Sequence, residues 1–155
     1  MKKEKSCGIV VFDEDKVLLV FHNLGHYGFP KGHVEEGETE EETAVREVKE
    51  ETNCDAKIIP GFREVITYSP KPNVIKDVVF FVGDAITKEL KPQEEETSDV
   101  FFINMLDAKK TITHNEEREV LEKAIEFMKG INYETLIKLY FHQTLLFHMI
   151  FLFSF

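Results

Sequence analysis

The chain has only two cysteines, Cys7 and Cys54, in 155 residues. That excludes a disulfide framework as what holds it together and fits a reduced compartment, so a cytoplasmic protein is expected. Positive charge is also short: 19 Lys and Arg stand against 29 Asp and Glu, for a formal net charge of −10. A general nucleic-acid binder needs a basic face, so no nucleic-acid partner is expected. No long apolar stretch follows the opening M-K-K-E-K-S, so no secretory leader is expected. There is no internal repeat and no low-complexity linker, and the length suits one main domain.

What is present is ample core material, 43% hydrophobic residues including 14 Phe. Ser6 to Phe12 and Val17 to Phe21 read as paired strands around a turn at Asp13-Glu14-Asp15. Both are apolar on both faces, which predicts a sheet covered on each side. His22 to Gly28 reads as a polar loop. Ala56 to Tyr68 reads as a bent strand broken at Pro60-Gly61, followed by a loop over Ser69 to Asn73. Lys76 to Ile86 and Val100 to Ile103 read as further strands, with an acidic, mobile segment, Leu90 to Asp99, between them. Thr113-x-x-Glu116 reads as a capping box for a helix lined by Val120, Leu121, Ala124, Ile125 and Met128, which Gly130 is expected to end. Strands interleaved with helices predict an α/β fold.

The densest stretch runs from Gly32 to Cys54, G-H-V-E-E-G-E-T-E-E-E-T-A-V-R-E-V-K-E-E-T-N-C. Thr39 and Glu42 have capping-box spacing, so a helix should start near Glu40. Ala44, Val45 and Val48 make an apolar stripe, while Glu40 and Glu42 read as solvated. Glu47, Glu50 and Glu51 stand at i, i+3 and i+4, on an arc of ~100° bordering the stripe. Like charges so placed repel, and a hard divalent cation such as Mg²⁺ relieves the repulsion through carboxylate oxygens. Before it, Pro30 restrains the chain so that Lys31 and the Gly32 carbonyl can face this helix. Lys31 suits a phosphate contact. His33 reads equally as a proton donor or phosphate contact and as a structural hydrogen-bonder. Glu35 and Glu36 read as solvated.

The spacing Gly32, Glu38, then Arg46-Glu47-Val48-Lys49-Glu50-Glu51 resembles the Nudix box, G-x5-E-x7-R-E-U-x-E-E-x-G-U. Two positions depart from it: Asn53 stands where the family has Gly, and Cys54 where it has an aliphatic residue. Asn tolerates the left-handed conformation expected just past a helix end. The resemblance covers roughly Ser6 to Gly130. It implies the Nudix fold, a mixed β-sheet between helices, and Mg²⁺- or Mn²⁺-dependent attack of water on a nucleoside polyphosphate. It implies Glu50 and Glu51 as metal ligands, Glu47 as a ligand or as the residue positioning the water, and the Gly32 carbonyl as a further ligand. Arg46 would hold a box glutamate. Glu96, with Glu95 beside it, is the candidate carboxylate from outside the box.

A second layer of resemblance lies in F-P-K-G-H-V-E-E-G-E, G-F-R-E-V-I-T-Y and K-D-V-V-F-F-V, which look like the asymmetric diadenosine tetraphosphate hydrolases. It implies Tyr68 and Phe80 as nucleoside contacts, with Phe80 either stacking an adenine or lying in the core. Lys76 would pair with a phosphate oxygen. The implied reaction is cleavage of diadenosine tetraphosphate to ATP and AMP. Alternatives are a nucleoside triphosphate pyrophosphatase, an RNA 5′-pyrophosphohydrolase and a non-catalytic nucleotide sensor.

Residues 131–155 lie beyond the resemblance. Ile131 to His142 reads as a helix, and Leu145 to Phe155 is nearly all apolar. Eleven residues are short of the ~20 that cross a bilayer, so no transmembrane span is expected. Self-association through this tail, giving a homo-oligomer, is favoured over packing on the domain or an interfacial membrane contact.

Overall fold

The computed structural model describes residues 1–152. Its strands are β1 (Lys2–Asp13), β2 (Lys16–His22), β3 (His26–Gly28), β4 (Lys31–His33), β5 (Ala56–Tyr68), β6 (Val74–Ala85) and β7 (Thr97–Asn104). Its helices are α1 (Glu40–Thr52), α2 (Met105–Thr111) and α3 (Asn115–Leu152). The chain divides into two compact units, Met1–Ala124 and Ile125–Phe155.

In the first unit the strands form one mixed sheet in the order β3-β2-β1-β6-β5, with β4 beside β1 and β7 beside β2. β1 and β6 run parallel; the other pairings are antiparallel. This bears out the expected α/β class. Alternation sends Cys7, Ile9 and Val11 of β1 and Val79 and Phe81 of β6 to one face, against Ala44 and Val48 of α1. Val10, Phe12, Val78, Phe80 and Val82 take the other face and are equally buried. On that side Phe80 meets Phe29 edge-on, ring centroids 5.5 Å apart.

Helix α1 begins as expected. The Thr39 side chain accepts from Glu42 N–H, and Glu42 accepts from Thr39 N–H. It ends at Asn53, which takes φ 64°, the left-handed conformation that excuses the missing glycine. Two details differ from expectation. Val45 is 38% exposed, and the buried side of α1 is Thr43, Ala44, Glu47, Val48, Glu51 and Thr52. Glu40 is not merely solvated: Arg63 and Lys5 both bond its carboxylate, and the Arg63 hydrogen bond holds its pKa down to about 2.

Four other expectations are corrected. The loop after His22 contains a short strand, β3, paired back onto β2. Leu90 to Asp99 is pinned rather than mobile: Lys91 N–H and Gln93 N–H donate to the Thr52 and Glu51 carbonyls, which α1 itself leaves open. Thr113 does not cap α3, because its hydroxyl and N–H are taken by Tyr27; the His114 carbonyl receives the first turn's Arg118 N–H instead. Gly130 does not end α3, which continues to Leu152. A glycine without a left-handed φ and with helix formers on both sides weakens a helix without stopping it.

In the second unit, the side chains from Tyr133 to Leu152 that are described are exposed, including Leu136, Tyr140, Phe141, Leu145, Phe147 and Ile150. Among the described residues no helix is long and apolar enough to cross a membrane. Residues 153–155 of the apolar run lie outside the described residues.

Candidate active site

β4 pairs with β1 so that Cys7 faces Gly32 and Gly8 faces Lys31 across the ladder. This lays the Lys31-Gly32 segment alongside α1. Lys31 N–H donates to Glu51 Oε2 at 3.2 Å. The Glu47 carboxylate lies against Gly32, where an added Cβ would collide with its three terminal atoms. Glu47 and Glu51 are 8% and 1% exposed, while Glu50 on the same arc is exposed.

Arg46 ties the arc together. Its Nε donates to both Glu38 oxygens at 3.0 and 3.1 Å. Its Nη1 reaches Glu47 at 2.8 Å and Glu50 at 3.2 Å. Its Nη2 donates to the His33 carbonyl at 3.0 Å. The His33 ring lies 3.6 Å from Glu4. Glu95 and Glu96 reach the same place because the Leu90–Asp99 segment is anchored to the end of α1.

Burial pushes the Glu51 carboxyl up to about 8, against the pull of Lys31 and with help from Glu47 and Glu96. Burial also raises Glu47, with Arg46 opposing it. A divalent cation would favour the charged form of both. The donors are hard carboxylate oxygens beside a main-chain carbonyl, the set that suits Mg²⁺ or Mn²⁺. As they stand, no three acidic, His or Cys side chains among the described residues converge closely enough to hold a metal ion. Arg46 Nη1 sits between Glu47 and Glu50 instead. The residue types therefore fit the ion, and the carboxylates are held against an arginine.

The carboxylates open into a groove with two wings. One, of about 380 Å³, has mainly polar and charged residue types in its lining, including His22, Lys31, Gly32, His33, Glu51, Lys76, Glu95 and Glu96. The other, of about 420 Å³, includes Ile66, Thr67, Pro70, His114, Glu116 and Glu117. Leu24, His26, Lys31 and Tyr68 line both. Burial lowers the Lys76 pKa, with the Lys31 charge adding to the effect. The structure thus brings together Lys31, Gly32, His33, Glu47, Glu51, Tyr68, Lys76 and Glu96, with Arg46 and Glu50 beside them.

Phe80 is the exception. It is fully buried under Phe29, so its ring offers no face to a base, and the stacking role is corrected to a core role. Strand alternation explains this: Phe80 shares a face with Lys76, but further along β6, where that face is covered.

Sequence reasoning missed the histidines. His22 and His26 stack at 4.5 Å, and His26 approaches His114 at 5.2 Å. Burial pushes His22 down to about 3, and its Nε2 has no hydrogen-bond partner. Their loop placement in H-N-L-G-H-Y was the only sign, and it did not separate ligand-facing from structural histidines. Glu117 was missed too: it is 3% exposed, accepts from Phe29 N–H at 3.1 Å and lies 3.6 Å from Lys31 Nζ.

Comparison with known proteins agrees with this geometry. An asymmetrical bis(5'-nucleosyl)-tetraphosphatase of Mus musculus is 32% identical over 52% of this chain and 64% of its own length. An ADP-ribose pyrophosphatase of Methanocaldococcus jannaschii is 33% identical over 60% of this chain and 57% of its own. The matched stretch therefore spans less than two thirds of either relative. The crystal structure of a C. elegans Ap4A hydrolase binary complex superimposes with TM-score 0.75 at 26% identity, covering 82% of this chain and 98% of that one. The model of the NUDIX domain matches residues 2–124, close to the whole first unit, and the chain belongs to the Nudix family.

Proposed function

We propose that this chain is a Mg²⁺- or Mn²⁺-dependent pyrophosphohydrolase that splits diadenosine tetraphosphate unequally into ATP and AMP. The observation that carries the reading is the two-winged groove: buried Glu51 lines one wing, with buried Glu47 packed on Gly32 of the same wall, and Tyr68 with Lys31 lie where the wings meet. A bound divalent ion would polarise the phosphoryl oxygens and lower the pKa of the attacking water. Glu47, Glu50 and Glu51 would hold it, with the Gly32 carbonyl as a further ligand. Arg46 would keep Glu47 and Glu50 in place. Glu96, exposed at the rim, would take the proton from the water.

Lys31 and Lys76 would neutralise the phosphates running along the wing that Glu51 lines. Tyr68, 41% exposed, would stack one nucleoside base, with His26 and His114 as flanking rings. Reading the chain of phosphates from one base, beside one carboxylate cluster, favours attack near an end. The names of the Mus musculus and C. elegans relatives support that substrate class.

Chromatography of products from diadenosine tetraphosphate with Mg²⁺ tests the assignment. ATP and AMP in equal amounts are expected, with higher kcat/KM than for ATP or dGTP. Two ADP, or preference for a deoxynucleoside triphosphate, would overturn the substrate. Absence of any metal-dependent phosphate release would favour a nucleotide sensor.

We also propose that the tail, residues 131–155, self-associates: its described side chains are mostly apolar and exposed and have few charges among them. Light scattering of the full chain and of a chain ending at Ala124 should show the shorter one in a smaller oligomer.

A further inference from the structure

Glu117 is a carboxylate with almost no access to water, and such groups need partners. Its surroundings are built around it. Phe29 N–H donates to Oε2, Lys31 Nζ lies 3.6 Å from Oε1, and Gly28 leaves room for the carboxylate that a Cβ would fill. An anionic substrate gains nothing from a negative charge at the end of its groove. At 3.6 Å the lysine contact is a charge contact beyond good hydrogen-bond distance, so the ammonium's N–H groups stay available to an anion. The main-chain N–H of the same residue is fixed on Glu51.

We infer that Glu117 is a positioning residue, which parks the Lys31 ammonium where the two wings of the groove meet, ready for a polyphosphate. A long lysine side chain has many rotamers to lose, and a lysine already held in place gives up fewer of them on binding. The inference rests on the polyphosphate reading of the groove.

Calorimetric titration of the full chain with inorganic tripolyphosphate and Mg²⁺ tests it. Glu117→Gln keeps an oxygen to accept from Phe29 N–H and removes the charge facing Lys31. Plain electrostatics would make an anion bind more tightly to this variant. Positioning makes it bind more weakly, by about fivefold or more. Gly28→Ala should reproduce the loss by displacing the carboxylate, since its backbone is not in the left-handed region and only a side chain must move. It also covers the case in which Glu117→Gln fails to fold.

In a Lys31→Met background, Glu117→Gln should cause no further loss. Equal or tighter binding by Glu117→Gln, or the same loss with Lys31 already removed, would overturn the inference alone. A wild-type chain that ignores tripolyphosphate, or a Lys31→Met variant that binds it as wild type does, would overturn the polyphosphate reading and this inference with it.

Discussion

The Glu47 carboxylate rests directly on Gly32, filling the space where any other residue would carry its Cβ. The Gly32 backbone is not in the left-handed region, so the glycine is there for closeness and not for conformation. Gly32→Ala should push Glu47 off Arg46 without straining the main chain. We expect kcat/KM to fall at least tenfold, about 1.4 kcal/mol, and the thermal midpoint to shift only slightly. Wild-type kinetics in Gly32→Ala would mean that the position of Glu47 does not matter.

Glu51 is the deepest of the arc carboxylates, and its removal separates chemistry from folding. Glu51→Gln keeps the shape and an oxygen for Lys31 N–H. We expect kcat to drop by roughly 100-fold or more, Mn²⁺ affinity to fall in parallel, and the circular dichroism spectrum to stay unchanged. Near-normal turnover at low Mg²⁺ would remove Glu51 from the proposed ligands.

His22 gives a prediction about pH. Burial chiefly, and the positive charges of Lys31, His26 and His114, lower its pKa from 6.5 to about 3. The unfolded chain therefore binds a proton here that the folded chain refuses. The stabilising contribution is complete above about pH 6.5 and is lost as pH falls toward 3. Between those limits stability should fall by up to ~1.4 kcal/mol per pH unit from this group. Denaturant titrations at pH 7, 6, 5 and 4 should show a shallower slope in His22→Gln. Parallel slopes would show that His22 ionises freely in the folded protein.

What could be read from the sequence was what short-range chemistry decides. The Thr39-Glu42 cap, the left-handed Asn53 and the i, i+3, i+4 glutamates need only local geometry, and each stands where its spacing put it. Helix periodicity could not tell that Val45 would lie outside the covered arc, because Glu47 and Glu51 occupy the buried side that a stripe of apolar residues was expected to hold. Glu117 had no sign at all. It looks like an ordinary first-turn acid until the fold brings it to Lys31, 86 residues away in sequence. The run past Gly130 misled because glycine marks helix ends only when it adopts the left-handed conformation.

Phe80 and Tyr68 make the last test, since β5 and β6 pair and the two aromatics nonetheless have opposite fates. Tyr68, across from Lys76, is 41% exposed and lines both wings. Phe80, four residues beyond Lys76, is sealed under Phe29. Tyr68→Ala removes only a groove wall, so the thermal midpoint should stay within a few degrees. Its KM for diadenosine tetraphosphate should rise by the loss of one stacked base, roughly 1–3 kcal/mol. Phe80→Ala opens a core cavity instead and should cost about 3–5 kcal/mol of stability. Phe80→Leu keeps most of the volume, so it should fold and show a KM close to wild type. A raised KM in well-folded Phe80→Leu, with Tyr68→Ala unaffected, would reverse the assignment and require β6 to expose Phe80 when nucleotide binds.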